Sequence, residues 1–136
     1  MKVDISKLED INPTRGGGRK SSFVLTKSGY PRWNEPYMEE HKEFASANSV
    51  NLKGAKNGNK LTIAINLLKD KTGKFVVNSH KDKNGKIKSK SFSLRSVFKQ
   101  LGLSYKDFGQ EKRIVIKPEI QDFEGKRYFV FELDIE

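Results

Sequence analysis

The chain has no cysteine, which excludes disulfides and thiolate-held metals. Histidine is nearly missing: His41 and His80 are the only two, and Glu39-Glu40-His41 lacks the second histidine of a zinc-protease helix. Asp82-x-Asn84-Gly85 lacks the remaining ligands of a calcium loop. The glycine-rich stretch Arg15-Gly16-Gly17-Gly18-Arg19-Lys20 contains no Gly-x-x-x-x-Gly-Lys frame for cradling a nucleotide's phosphates. No apolar run approaches the roughly 20 residues a membrane helix needs. Met1-Lys2-Val3-Asp4 opens no apolar stretch of the leader type. These absences lead us to expect no membrane contact, no metal, no cofactor and no catalytic residue. The expected location is the cytoplasm of a bacterial or virus-infected host cell.

Positive charge is what the sequence has in excess. Lysine and arginine number 27 against 17 acids, a formal charge of +10 over 136 residues. A basic surface attracts polyanions, because each cation that meets a phosphate releases a condensed counterion. The excess is unevenly placed. Residues 69–90 hold eight lysines and two aspartates, a local balance of +6. Residues 119–136 hold six acids against Lys126 and Arg127, a balance of −4. That acidic end is a candidate contact for a protein partner, or simply a solvated strand face.

At 35% hydrophobic and 32% charged, the chain can bury one modest core. Residues 1–20 read as a flexible basic arm and 21–136 as a single domain. Strand composition occurs at 22–26. Tyr30, Trp33 and Tyr37 follow in a stretch broken by Pro31 and Pro36, a short helix is weakly indicated over 38–48, and 51–59 reads as a loop. Leu61, Ile63, Ile65 and Leu67 alternate as a half-buried strand does. Residues 74–78 and 86–92 are further strands, joined by the hairpin signal Asp82-Lys83-Asn84-Gly85. Ser93 can cap a helix in which Leu94, Val97, Phe98 and Leu101 form one apolar face before Gly102. Strands at 113–117 and 127–135 close the chain around a turn at Glu124-Gly125. The expected fold is α+β: a twisted, mostly antiparallel sheet with one short packing helix, in the order β-β-β-α-β-β after the arm. An oligonucleotide-binding barrel, which places a helix between its third and fourth strands, is the alternative.

Lys86, Lys88 and Lys90 fall on one face of the third strand, about 6.7 Å apart at alternate positions. Successive phosphates of an extended nucleic-acid strand have a similar spacing of roughly 6–7 Å. Lys74, Lys81 and Lys83 add cations in the neighbouring strands and turns. The bland account is an edge strand protected by lysine, which would not require so many. Single-strand binders also stack bases on flat side chains. Tyr30, Trp33 and Tyr37, beside Arg32, lie outside any clean amphipathic pattern and are the candidates; the competing account is an aromatic cluster covering one end of the sheet.

Residues 73–101 resemble the single-stranded DNA-binding family of positive cofactor four and the Whirly proteins. The resemblance is carried by Gly73-Lys74-Phe75-Val76-Val77, the turn Asp82-Lys83-Asn84-Gly85, the basic strand Lys86-Ile87-Lys88-Ser89-Lys90, and the helix entry Phe92-Ser93-Leu94. It implies a twisted antiparallel sheet whose basic hairpins hold single-stranded DNA, usually in a dimer or larger assembly. The expectation is a non-enzymatic protein that binds single-stranded DNA or RNA with little sequence preference. It would act in replication, recombination or transcription, in a phage for example. The competing classes are a structural or assembly protein of a ribonucleoprotein or virion, and a metal-dependent nuclease using Asp107 with Glu124-Gly125-Lys126. A helix-turn-helix over 97–104 is a further rival, its second helix cut short by Gly109.

Overall fold

The computed structural model describes residues 3–10, 20–26, 28–104 and 114–135. The glycine-rich arm, Asp107 and the segment after Ser104 that a helix-turn-helix would need lie outside them. A short 3₁₀ turn at Ile5–Lys7 precedes the main body. The strands are β1 (Phe23–Leu25), β2 (Pro31–Asn34), β3 (Ser49–Asn57), β4 (Lys60–Leu68), β5 (Phe75–Val76), β6 (Asn78–Lys81), β7 (Ile87–Ser91), β8 (Ile114–Val115), β9 (Glu119–Phe123) and β10 (Lys126–Asp134). The helices are α1 (Glu35–Glu40), α2 (Lys42–Ala45) and α3 (Arg95–Gln100).

The fold is α+β and antiparallel, as expected, but the strands form two sheets rather than one. Sheet A runs β6-β7-β2-β1-β8 and sheet B runs β5-β3-β4-β10-β9. Neither closes into a barrel among the described residues. Alternation along the strands builds the layer between them. Phe23, Leu25, Pro31 and Trp33 of sheet A meet Leu61, Ile63, Ile65, Phe129, Phe131 and Leu133 of sheet B, all buried. Phe23 contacts Trp33 and Phe44 edge-on at 5.5 and 5.3 Å, and Phe44 contacts Phe129 at 4.8 Å. Such edge-to-face geometry is what the ring quadrupoles favour.

Three local expectations change. The 51–59 loop is instead β3, paired with β4 over nine residues; Lys53, Lys56 and Gly54 masked it because its far half is exposed. The 74–78 strand splits: β5 joins sheet B, β6 joins sheet A, and Val77 crosses between them. The 113–117 strand does not pair with 127–135; β8 pairs with β1 in sheet A, and β9 supplies the C-terminal hairpin. Pro31 and Pro36 do not interrupt structure. Pro31 opens β2, and Pro36 sits in the first turn of α1, where a missing N–H costs nothing. Asn34 caps that helix, its Oδ1 accepting the Tyr37 N–H at 3.1 Å and the Ser22 N–H at 2.9 Å. Among the described residues, no helix is long and apolar enough to cross a membrane.

Lys90 is the buried exception. The register pairs it with Trp33, on the core side of sheet A. Its ammonium donates to the carbonyls of Ala45 at 2.7 Å and Ala47 at 2.9 Å, satisfying the end of α2, and burial lowers its pKa. Lys90→Met should cost about 1–3 kcal/mol, because two buried carbonyls lose their donor. A lower midpoint in urea unfolding at unchanged slope is the expected reading; an unchanged midpoint would show that the ammonium contributes nothing.

Candidate nucleic-acid interface

The structure divides the lysine row of the third strand among different surroundings. Lys90 is 4% exposed. Lys86 and Lys88 reach the Glu35 carboxylate at the start of α1, at 2.9 and 3.3 Å, and Lys88 also lies 3.8 Å from Asp82. Hydrogen bonds from Lys86 and then Lys88 hold the Glu35 carboxyl below its usual range. The three lysines do not share one face: the β6–β7 register passes from Ser89 to Ile87 and leaves Lys88 as the extra residue, so Lys90 turns to the core, Lys88 is half-buried beside the outer groove, and Lys86 is exposed.

Two of the three aromatic candidates also move inward. Trp33 is fully buried, and its indole N–H donates to the Phe44 carbonyl at 3.2 Å. Tyr37 is buried against Phe23 and Phe44, and burial pushes its phenol up to about 12. Neither ring can stack on a base while the core is intact, so the aromatic-cluster account holds for both. Lys83 lies in the β6–β7 turn, and exposed Lys74 lies beside sheet B, its N–H on Asn51 Oδ1 at 2.9 Å.

The opposite face of sheet A carries the groove. Its floor is the serine side of β7, which the sequence reading passed over. Register places Arg32 across from Ser91, and His80 across from Ser89. Each long side chain leans diagonally across β7. Arg32 Nε donates to Ser89 Oγ at 3.0 Å, while His80 Nε2 and Ser91 Oγ share a hydrogen bond of 2.9 Å. Diagonal neighbours on a pleated face are about 7–8 Å apart, within reach of side chains this long. Thr26, Ser28, Tyr30 and Asn78 wall one end, a cavity of 780 Å³. Ser22, Val24, Asn34, Lys81 and Lys88 wall the adjoining end, of 450 Å³. Arg32, His80 and Thr26 are common to both.

A β-bulge interrupts the pairing beside this groove: His80 pairs with Ser89 and Lys81 with Ile87, which leaves Lys88 as the extra residue on β7. Consecutive strand residues ordinarily face opposite ways, but Lys88 and Ser89 line the same cavity, as do His80 and Lys81. Of the ten residues singled out from sequence, Tyr30, Arg32, Lys81 and Lys88 are brought together here. The ammonium of Lys88 is turned to Glu35 and Asp82. Neither Arg32 nor Lys81 has a carboxylate partner among the described residues. No acidic side chain lines either cavity.

His80, Ser89 and Ser91 were not foreseen. Short polar side chains on a strand give no sequence signal until register shows what lies opposite them. Partial burial, then the charge of Arg32, lowers the pKa of His80 from 6.5. The unfolded chain therefore takes up a proton that the folded protein resists. Stability should fall as pH drops below 6.5, through the window that ends at the lowered folded value. Replacing His80 by glutamine should flatten that part of the curve, measured as melting temperature between about pH 7.5 and about pH 5. An identical slope in the variant would assign the dependence elsewhere.

No family model, curated protein or solved structure matches the chain.

Proposed function

We propose that this protein binds single-stranded nucleic acid, DNA in the first instance, along the outer face of sheet A and without chemical conversion of the strand. The observation that carries this reading is a groove lined by Arg32, Lys81, hydroxyls and Tyr30, with no carboxylate in its walls, on a chain of net charge +10. A cationic channel that tracks phosphates beside a ring that accepts a base is the usual construction for sequence-tolerant strand binding. Arg32 and Lys81 take the phosphate contacts, and half-buried Tyr30 offers the base platform. The resemblance to positive cofactor four and the Whirly proteins points to the same ligand, and roles in replication, recombination or transcription, in a phage or its host's cytoplasm, belong to this proposal.

Fluorescence anisotropy with matched single-stranded DNA, duplex DNA and RNA tests it. The expected result is tightest binding to a single strand, weakening as salt rises from about 0.05 to about 0.2 M with the shallow slope of a few phosphate contacts. Equal, weak binding to all three would reduce the charge to generic attraction. The assembly reading is favoured by one observation. Among the described residues β9 is an edge of sheet B, and its Ile120 and Phe123 are 60% and 50% exposed. Light scattering that gives a dimer, lost on replacing Ile120 with lysine, would support a second copy pairing there.

A further inference from the structure

We propose that Arg32, His80 and Ser91 form a seat for a single phosphate group, which fixes the register of the strand in the groove. This deepens the reading above and rests on it for the ligand's identity. The geometry carries the inference. Ser89 holds Arg32 by Nε alone, at 3.0 Å, so both terminal guanidinium nitrogens are left without a partner among the described residues. A guanidinium anchored on that edge presents a two-pronged donor, the shape that matches two oxygens of one phosphate. His80 is engaged only through Nε2, by Ser91 at 2.9 Å, leaving Nδ1 without a partner among the described residues. The crossed diagonals bring guanidinium and imidazole to opposite sides of β7, close enough for the arginine's charge to oppose protonation of the ring. Two nitrogen donors that repel each other when both are charged are reconciled by an anion between them.

The groups facing His80 set the sign of its pH dependence. Arg32 comes from β2, Lys81 from its own strand, Lys88 and the two serines from β7, and Thr26 from the end of β1. Among the described residues, the carboxylates that Lys88 reaches are Glu35 at 3.3 Å and Asp82 at 3.8 Å, and neither lines the groove. An internal phosphodiester, which keeps its single charge, therefore favours imidazolium, and its affinity rises as pH falls from about 7.5 towards about 5.5, whereas a terminal or inorganic phosphate loses part of its own charge over the same window. The adjoining end of the groove, with Tyr30, then receives the neighbouring sugar or base.

Imidazole ¹H–¹⁵N spectra of the full chain, titrated with inorganic phosphate, with a thymidine dinucleotide and with its 5′-phosphorylated form, test the seat. The expected result is that all three shift the His80 resonances and raise its titration midpoint, while those of His41 stay in place. His80→Gln should weaken dinucleotide binding by about tenfold at about pH 6 and much less at about pH 8. Stronger binding of the phosphorylated form assigns the seat to a strand's terminal phosphate; equal binding of both assigns it to the internal diester. If strands bind in a way that depends on Arg32 while no phosphate source moves His80, the seat is overturned and strand binding stands. If inorganic phosphate moves His80 but no strand binds, the seat stands and strand binding falls. If nothing binds, both fail.

Discussion

Replacing Arg32 with alanine is expected to weaken binding of single-stranded DNA by about tenfold to a hundredfold, a larger loss than from Lys81, Lys86, Lys88 or Lys90. A hydrogen-bonded charge contributes about 1.5–3 kcal/mol, and each 1.4 kcal/mol is about a factor of ten. Other cations are discounted for stated reasons. Lys86 and Lys88 are ion-paired with Glu35, so a phosphate would have to compete with a carboxylate already 2.9 Å away. Lys90 is spent on two backbone carbonyls. Lys81 is an exposed, strongly hydrated point charge, and its loss should cost only a few-fold, like a generic phosphate contact. Removing both Lys86 and Lys88 should therefore change affinity less than Arg32→Ala alone, with the melting temperature of each variant confirming that it is folded. If the double lysine variant loses binding and Arg32→Ala does not, the strand runs past Lys86 and Lys88 beside Glu35 and not over Arg32. Arg32→Lys separates charge from shape: a two-pronged contact is only partly restored by lysine.

How much of this was legible in the sequence depended on whether a residue's neighbours could be inferred from it. The β4 alternation, the Asn84-Gly85 hairpin and the apolar face of α3 were read correctly, because each is a local pattern with a local cause. Gly85 adopts φ +80, and Asp82 Oδ1 accepts the N–H groups of Asn84 and Lys86, which closes the turn as its composition foretells. The lysines at 86, 88 and 90 were legible as a group, but not that Lys90 alone of the three is buried. Its orientation follows from pairing with Trp33, 57 residues earlier in the chain, and no window around Lys90 contains that fact. The same long-range pairing made a groove floor of Ser89 and Ser91. A bulge one residue wide, at Lys88, breaks the alternation of β7 and brings Lys88 to the same cavity as Ser89. Arg32 and Tyr30 were named on the strength of their type and neighbours, and they lie in the groove although the aromatic residues chosen with them do not.

Trp33 gives the second large expected effect, and it separates two pictures of the molecule. As a base-stacking residue it would be dispensable to folding, and its loss would lower affinity by about 1–3 kcal/mol. As placed here, it is fully buried among Phe23, Phe44 and Phe92, with centroid distances of 5.5, 5.2 and 6.0 Å. Trp33→Ala should then cost about 3–5 kcal/mol of stability, since a large ring leaves a cavity that its neighbours only partly fill. The Phe44 carbonyl also loses its indole donor. For a domain whose whole stability is about 5–15 kcal/mol, that brings the chain close to unfolding, and urea denaturation should show it directly. Trp33→Phe keeps much of the packing and should retain most of the stability, so a folded variant remains available for binding. Because Trp33 is the chain's single tryptophan, its fluorescence supplies a second, mutation-free check. A sealed indole emits at short wavelength, resists acrylamide and is not quenched when a strand fills the groove on the opposite face of sheet A. Strong quenching by oligothymidine, together with wild-type stability of Trp33→Ala, would place the ring against bases and reverse the assignment of the two faces.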